Sequence, residues 1–243
     1  MEAIKTTALS KTYKNIEAVK EINLTVHQGE LYSLLGTNGA GKSTTIKMLS
    51  CLETPTSGDG FLLGNSIKTD SQKVKSIINV SPQETAVAPN LSVKENLELI
   101  AAIHGLKGKD KKEKVRKIME EFDMLEIEKQ RAKTLSGGWQ RKLSIAMALI
   151  SEPKILFLDE PTLGLDVLAR RELWKYIQNL KGKITIILTT HYLEEAEALS
   201  DRIGIMSKGR LKAEGTVDDL KALAGKDCFE EAFISIAEGE SIK

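Results

Sequence analysis

Cysteine is scarce in this chain. The 243 residues hold two, Cys51 and Cys228, with neither metal-ligand spacing nor further partners, which argues against a disulfide framework and points to a reducing cytoplasm. Excess charge is scarce too. Lys+Arg 35 against Asp+Glu 34 leaves a net +1, so the basic face that a nucleic-acid partner requires is not expected. The one basic cluster, 107–117 (KGKDKKEKVRK), is interleaved with Asp110 and Glu113 and reads as a solvated helix face. No apolar run approaches the roughly 20 residues that span a bilayer. Glu2, Lys5 and Lys11 sit where a signal peptide would need apolar residues. Internal repeats, low-complexity linkers and heptad runs are also missing. The expectation is a soluble protein that would serve a membrane only by docking to another chain. Its length suits one large domain or a core with a subdomain.

What is present centres on Gly36, Thr37, Asn38, Gly39, Ala40, Gly41, Lys42 and Ser43, followed by Thr44. This stretch fits G-x-x-x-x-G-K-[ST]. The apolar run 31–35 before it reads as a buried strand, and 43–50 after it as a helix, the context that separates the motif from a chance glycine-rich turn. Glycines let successive N–H groups face one point where a phosphate can sit, and the helix adds its positive end. Lys42 supplies a full charge for β- and γ-phosphates, and the Ser43 hydroxyl is placed for Mg²⁺.

Around that loop the patterning is mixed. Residues 4–9 and 19–26 alternate as half-buried antiparallel strands do, with Tyr13 on a polar loop between them. Residues 61–64 and 77–80 read as strands, the second ending at Ser81, Pro82 and Gln83. From Ser92 the period turns helical: Ser92 and Glu95 form a capping box, and Leu97, Ile100, Ala101 and His104 share a face with Val93. Residues 84–150 are therefore mostly helical. Beyond them come the apolar strand 154–158, a helix near 167–181, a strand at 184–190, a helix at 193–199 and the strand 203–206. Such alternation implies a parallel sheet covered on both faces. Gly204 and Gly209 border a final hairpin, 217–224 is a short helix, and 226–243 gives weak signals.

Asp159 and Glu160 close the apolar strand at 154–158, the end at which such sheets hold ligands. Asp159 can hold Mg²⁺ beside Ser43. Glu160, pointing elsewhere because strand side chains alternate, can act as general base on water. About twenty residues earlier, Leu135, Ser136, Gly137, Gly138, Trp139 and Gln140 offer a hydroxyl and two bare amides at a helix start, a second anion-binding surface.

Set between this phosphate loop and this acidic strand, the Ser-Gly-Gly element resembles the signature of ABC-type ATPases. His191 resembles that family's switch histidine, Gln83 its hinge glutamine, and 161–166 the loop to its aspartate, Asp166. The resemblance covers about residues 3–220. It implies an α/β fold: a P-loop NTPase core with an antiparallel β-subdomain and a helical subdomain. The expected division is a single domain at 1–225, its core at 1–83 and 151–225 and its helical subdomain at about 84–150, with a tail at 226–243. By the same resemblance Tyr13 stacks on adenine, and the loop amides with Lys42 hold the phosphates of ATP. Ser43, Asp159 and Gln83 attend to Mg²⁺ and the attacking water, Glu160 is the base, and His191 contacts the γ-phosphate. Ser136, Gly137 and Gly138 close over the ATP of a second subunit, in a homodimer or heterodimer, and Asp166 communicates across it.

Two positions depart from the commonest pattern: Thr37 stands where many members have proline, and Trp139 where the signature usually has glutamine. The wording TNGAGKSTTIKML and HYLEEAEALSDRI resembles the ATPase subunits of bacterial type-2 exporters of drugs, lantibiotics or polysaccharides. The chain ends about fifty residues after His191, too few for the extra domain of sugar importers, which also favours export. The expectation is an ATP-hydrolysing subunit on the cytoplasmic face of a membrane, coupled to a separate polytopic permease. The alternative is a soluble ATPase of an assembly complex, such as one for iron–sulfur clusters.

Overall fold

The computed structural model describes residues 1–239. The chain opens with β1 (Glu2–Tyr13), β2 (Ile16–Ile22) and β3 (Thr25–His27), and β4 (Leu31–Leu35) then leads through the phosphate loop into α1 (Lys42–Leu49). There follow β5 (Ser57–Leu62), β6 (Asn65–Ser66), α2 (Ser71–Ile77) and β7 (Ile78–Ser81). Three helices come next, α3 (Val93–Ile103), α4 (Gly108–Glu121) and α5 (Gly137–Leu149). The remainder alternates through β8 (Ile155–Asp159), α6 (Val167–Leu180), β9 (Thr185–Thr190), α7 (Leu193–Leu199) and β10 (Arg202–Ser207), and ends with β11 (Arg210–Gly215), α8 (Val217–Ala224) and α9 (Phe229–Glu238).

Two sheets result. One is antiparallel, in the order β2-β1-β5-β6 with β3 also on β1; the other runs β11-β10-β4-β9-β8-β7. In the second, β10, β4, β9, β8 and β7 are parallel and β11 is an antiparallel edge. The reason lies in the sequence: β4, β8 and β9 are buried at every position, as a strand covered on both faces must be. Along β8 the alternation sorts the two faces. Ile155 and Phe157 join the core shared with the antiparallel sheet, while Leu156 and Leu158 join the core under the helical segment. Each such fully buried side chain contributes about 1.5–3 kcal/mol. The Lys-rich α4 buries Val115, Ile118 and Met119 and pairs Lys109, Arg116 and Lys117 with Glu113, Glu120 and Glu121 on its outer side, so the basic cluster is a solvated face. The Ser92–Glu95 capping box forms as the sequence predicts.

Four local expectations change. Tyr13 is the last residue of β1, paired with Ile16 across a two-residue turn, because Lys14 takes a left-handed backbone (φ 52°) and closes the hairpin immediately after it. Ile77 ends α2, a short helix with Val74 as its buried residue; that is too little apolar periodicity to read from sequence. His104 is exposed, because α3 stops at Ile103 before the buried face comes round again. The weak-signal segment holds α9, which buries Phe229, Ala232, Ser235 and Ile236 and packs with Leu35, Ile203, Ile205 and Leu220. Residues 240–243 of the predicted tail lie outside the described residues.

Candidate active site

The phosphate loop leaves β4 and enters α1 through glycines that the geometry requires. A Cβ on Gly36 would lie 2.3 Å from the Met206 carbonyl oxygen, and one on Gly41 2.6 Å from that of Ala18. Gly41 also has φ +103°, a backbone that side-chain-bearing residues rarely adopt. Gly39 (φ +79°) has open space where its Cβ would be, so the loop's hollow is there. Lys42, 4% exposed, donates from Nζ to the carbonyls of Gly36 (2.7 Å) and Thr37 (3.2 Å). The same ammonium lies 3.4 Å from Glu160 Oε1. Burial pulls its pKa below the usual lysine value, while Glu160 and Asp159 oppose that shift.

At the end of β8, Asp159 accepts from Ser43 Oγ at 3.0 Å and from Thr189 Oγ1 on β9. Glu160 does not follow the strand's alternation. The strand stops at Asp159, and Glu160 takes a left-handed φ of 46° while its N–H donates to Thr189 O (3.1 Å) and Thr189 Oγ1 (3.0 Å). For a residue with a Cβ this conformation costs about 1–3 kcal/mol and is held only where neighbours fix it. It turns the Glu160 carboxylate into the cleft, where Oε2 lies 3.1 Å from His191 Nδ1. An ionised carboxylate only accepts, so in this hydrogen bond Nδ1 is the donor whenever Glu160 is ionised.

Lys42, Ser43, Glu160 and His191 border one cleft of about 500 Å³ with Tyr13, Ala18, Asn38, Gly39, Ala40, Gly41, Thr44, Gln83 and Leu163, and Asp159 joins it through Ser43. Gly36 and Thr37 support it from behind through Lys42. Ala18 and Leu163 carried no chemical signal in the sequence. Thr189 carries a weak one, as one of the two threonines that end β9.

The Ser-Gly-Gly element lies elsewhere. Ser136 caps α5, its Oγ accepting from Trp139 N at 3.4 Å. Ser136 and Gly138 border a separate pocket of about 70 Å³ with Trp139, Lys142, Ala169, Glu172 and Leu173. A Cβ on Gly138 would come within 3.0 Å of Ala169 Cβ, so the glycine allows α5 to sit close on α6. Asp166 caps α6, accepting from the N–H groups of Leu168 and Ala169, each at 2.9 Å. Trp139 turns to its own chain: Lys142 Nζ lies 4.2 Å from its ring and 3.9 Å from that of Tyr176.

The donors suit a divalent cation brought in with a nucleotide. Ser43 Oγ and Asp159 Oδ1 are hard oxygen ligands 3.0 Å apart. Mg²⁺ commonly binds through one or two such groups together with substrate phosphates. Among the described residues no group of three or more His, Cys, Asp or Glu could hold a metal by itself. No described helix is long and apolar enough to cross a membrane.

Comparisons with known proteins identify the family and the fold. The family model described as ABC transporter matches residues 19–163. The "Probable multidrug ABC transporter ATP-binding protein YbhF" of Escherichia coli (strain K12) is 40% identical over 234 residues, which is 94% of this chain and 40% of that protein. The chain thus spans less than half the length of that relative. Among solved structures, an ATP-binding subunit of an ABC transporter superposes with a TM-score of 0.85 at 30% identity, covering 96% of this chain and 99% of that one. A dimeric post-hydrolysis state of the ATP-binding cassette MJ0796, bound to ADP and Pi, gives 0.78 at 26% identity over 88% and 98%. With its P-loop NTPase core, antiparallel β-subdomain and helical subdomain, the chain belongs to the ABC transporter family and carries that family's ATP-binding domain.

Proposed function

We propose that this chain binds and hydrolyses ATP as a subunit of an ABC transporter, and that it couples ATP-driven dimer closure to a separate polytopic permease working in export. The observation that carries the reading is the separation of two anion-binding surfaces, with the cleft at 36–44 and the Ser136 surface in different pockets of one chain. A phosphate held by the first can meet the second only if a second subunit supplies it.

In this reading Tyr13 stacks on adenine, and the amides of 38–44 with Lys42 hold the phosphates. Ser43 and Asp159 hold Mg²⁺, with Gln83 reaching toward it and the attacking water; when bound, the ion offsets charge on the phosphate oxygens. Glu160 takes the proton from that water, oriented by its contact with His191 Nδ1, and His191 contacts the γ-phosphate. Ser136, Gly137 and Gly138 cover the ATP of the partner subunit, and Asp166 beside them reports across the dimer. The helical segment at about 84–150, hinged at Gln83 against the core at 1–83 and 151–225, passes closure to the permease. The chain then works at the cytoplasmic face of the membrane, held there by the permease. A drug-like cargo is supported by the multidrug description of the relative in E. coli.

The test is Glu160→Gln. Steady-state phosphate release should fall by about 10²–10⁴-fold, and an ATP-bound dimer should accumulate in light scattering. A monomeric variant at saturating ATP overturns the paired-subunit scheme. Recovery with a soluble scaffold in place of a membrane protein overturns the coupling to a permease.

A further inference from the structure

We propose that Arg141 is a positioning residue that carries the state of the chain's own nucleotide cleft to the signature surface it offers a partner. This rests on the proposed roles of Gln83 and of residues 136–138. Arg141 lies on α5 just past the signature and is 5% exposed, a place where a guanidinium must be hydrogen-bonded to be tolerated. Its Nη1 donates to the Pro82 carbonyl at 2.6 Å and its Nη2 to the Gln83 carbonyl at 2.5 Å. A planar fork on two successive carbonyls fixes both the position and the direction of the backbone it holds.

The place of those carbonyls gives the contact its meaning. Pro82 and Gln83 are the first residues after β7, where the sheet gives way to the helical segment, and Gln83 also lines the cleft. Ser144, three residues beyond Arg141 and on the same face of α5, shares a buried hydrogen bond of 3.1 Å with Ser81 Oγ. The helix that begins with the signature is thus fastened at two points to the strand end and hinge of the cleft. Asp159 and Glu195 are the acidic groups whose charge Arg141 feels, yet its hydrogen bonds go to the hinge carbonyls. When Gln83 moves toward a bound γ-phosphate, its backbone carries the Arg141 fork with it, and α5 turns the 136–138 amides toward the partner.

The test uses the full chain carrying Glu160→Gln, with ATP and Mg²⁺ as probe, and adds Arg141→Met or Arg141→Lys. Three quantities are read: ATP affinity at protein concentrations where the chain is monomeric, the concentration of half-dimerisation at saturating ATP, and amide exchange at 137–141 and 39–45. For Arg141→Met, ATP affinity should stay within about threefold while dimerisation weakens by about tenfold or more. The exchange response to ATP at 137–141 should vanish and that at 39–45 persist. Arg141→Lys, which can serve one carbonyl at a time, should fall between. Retained dimerisation and a retained response at 137–141 overturn the proposal. So does a loss of ATP affinity equal to the loss of dimerisation, which would mark the arginine as a brace for the fold. Should Arg141→Met not fold, Ser144→Ala decides by the same three readings, with a smaller loss expected in the same direction and no loss overturning the proposal. Unchanged ATP affinity in Lys42→Ala would instead refute the reading of the cleft itself, whatever Arg141 does.

Discussion

The nucleotide cleft and the signature surface are both built from glycines at a helix start, yet they are finished to different degrees. In the cleft every charge already has a partner inside the chain. Lys42 is held by two loop carbonyls and faces Glu160, Asp159 takes the hydroxyls of Ser43 and Thr189, and Glu160 meets His191. At the signature, Ser136 and Gly137 are exposed, and the neighbouring charge, Lys142, is committed to Glu172 and the aromatic rings of Trp139 and Tyr176. The difference separates a site whose charges are already paired within the chain from an exposed helix start. Electrostatic preorganisation is most effective where burial keeps the local dielectric low, and in the cleft both the cation and the carboxylates are buried.

Three perturbations sharpen or break this comparison. The largest effect is expected for Lys42→Ala, which removes the cleft's one buried cation and leaves Glu160 uncompensated. ATP affinity measured by calorimetry should drop by about 10–100-fold, the worth of a hydrogen bond to a charged group; full affinity would mean that the cleft is not the site. Next comes Ser136→Ala. Losing the cap on α5 should cost about 0.5–2 kcal/mol of stability in chemical denaturation. ATP binding to the monomer should be unaffected while ATP-driven dimerisation weakens. Equal damage to both would erase the distinction between the two regions.

The smallest effect concerns Glu195, fully buried on α7. One carboxylate oxygen accepts from Trp174 Nε1 at 3.0 Å, and the other has no hydrogen-bond partner among the described residues. Burial raises its pKa above the ordinary carboxylate range, against the pull of Thr190, Thr162, Trp174 and Arg170. The folded state therefore binds this proton more firmly than the unfolded chain does. The sign follows: the stabilisation is present below the unfolded pKa and is lost as pH rises through the raised, folded one. The melting temperature should show that decline from acid toward neutral pH. Glu195→Gln should flatten it and add about 1 kcal/mol at pH 7, the scale of one unsatisfied buried group. A steeper decline in the variant would mean that the ionised carboxylate is held by Arg170.

Much of the site was legible in the residues. The strand, glycine loop and helix around Lys42 form one local unit with a short-range pattern, and Asp159–Glu160 follow an apolar run that can only be a buried strand. Local chemistry also specified the capping box at Ser92 and the solvated face of α4. The elements that escaped were those whose pattern is short or depends on a distant partner. α2 has one well-buried residue, and α9 takes its sense from Leu35, Ile203 and Leu220, which its own ten residues do not reveal. The orientation of Glu160 escaped for another reason. Alternation applies within a strand, and the left-handed turn that replaces it is imposed by Thr189 on the neighbouring strand.

The sequence by itself determined that the chain holds a phosphate loop, an acidic strand end and a Ser-Gly-Gly helix start, because each is a matter of residue type and spacing within one turn or strand. Only the tertiary structure decided that the first two share a cleft while the third borders a separate pocket. That outcome depends on which strands lie side by side and on where α5 is fastened. Those are contacts between residues about 30 to 170 apart in the chain, and no local pattern encodes them.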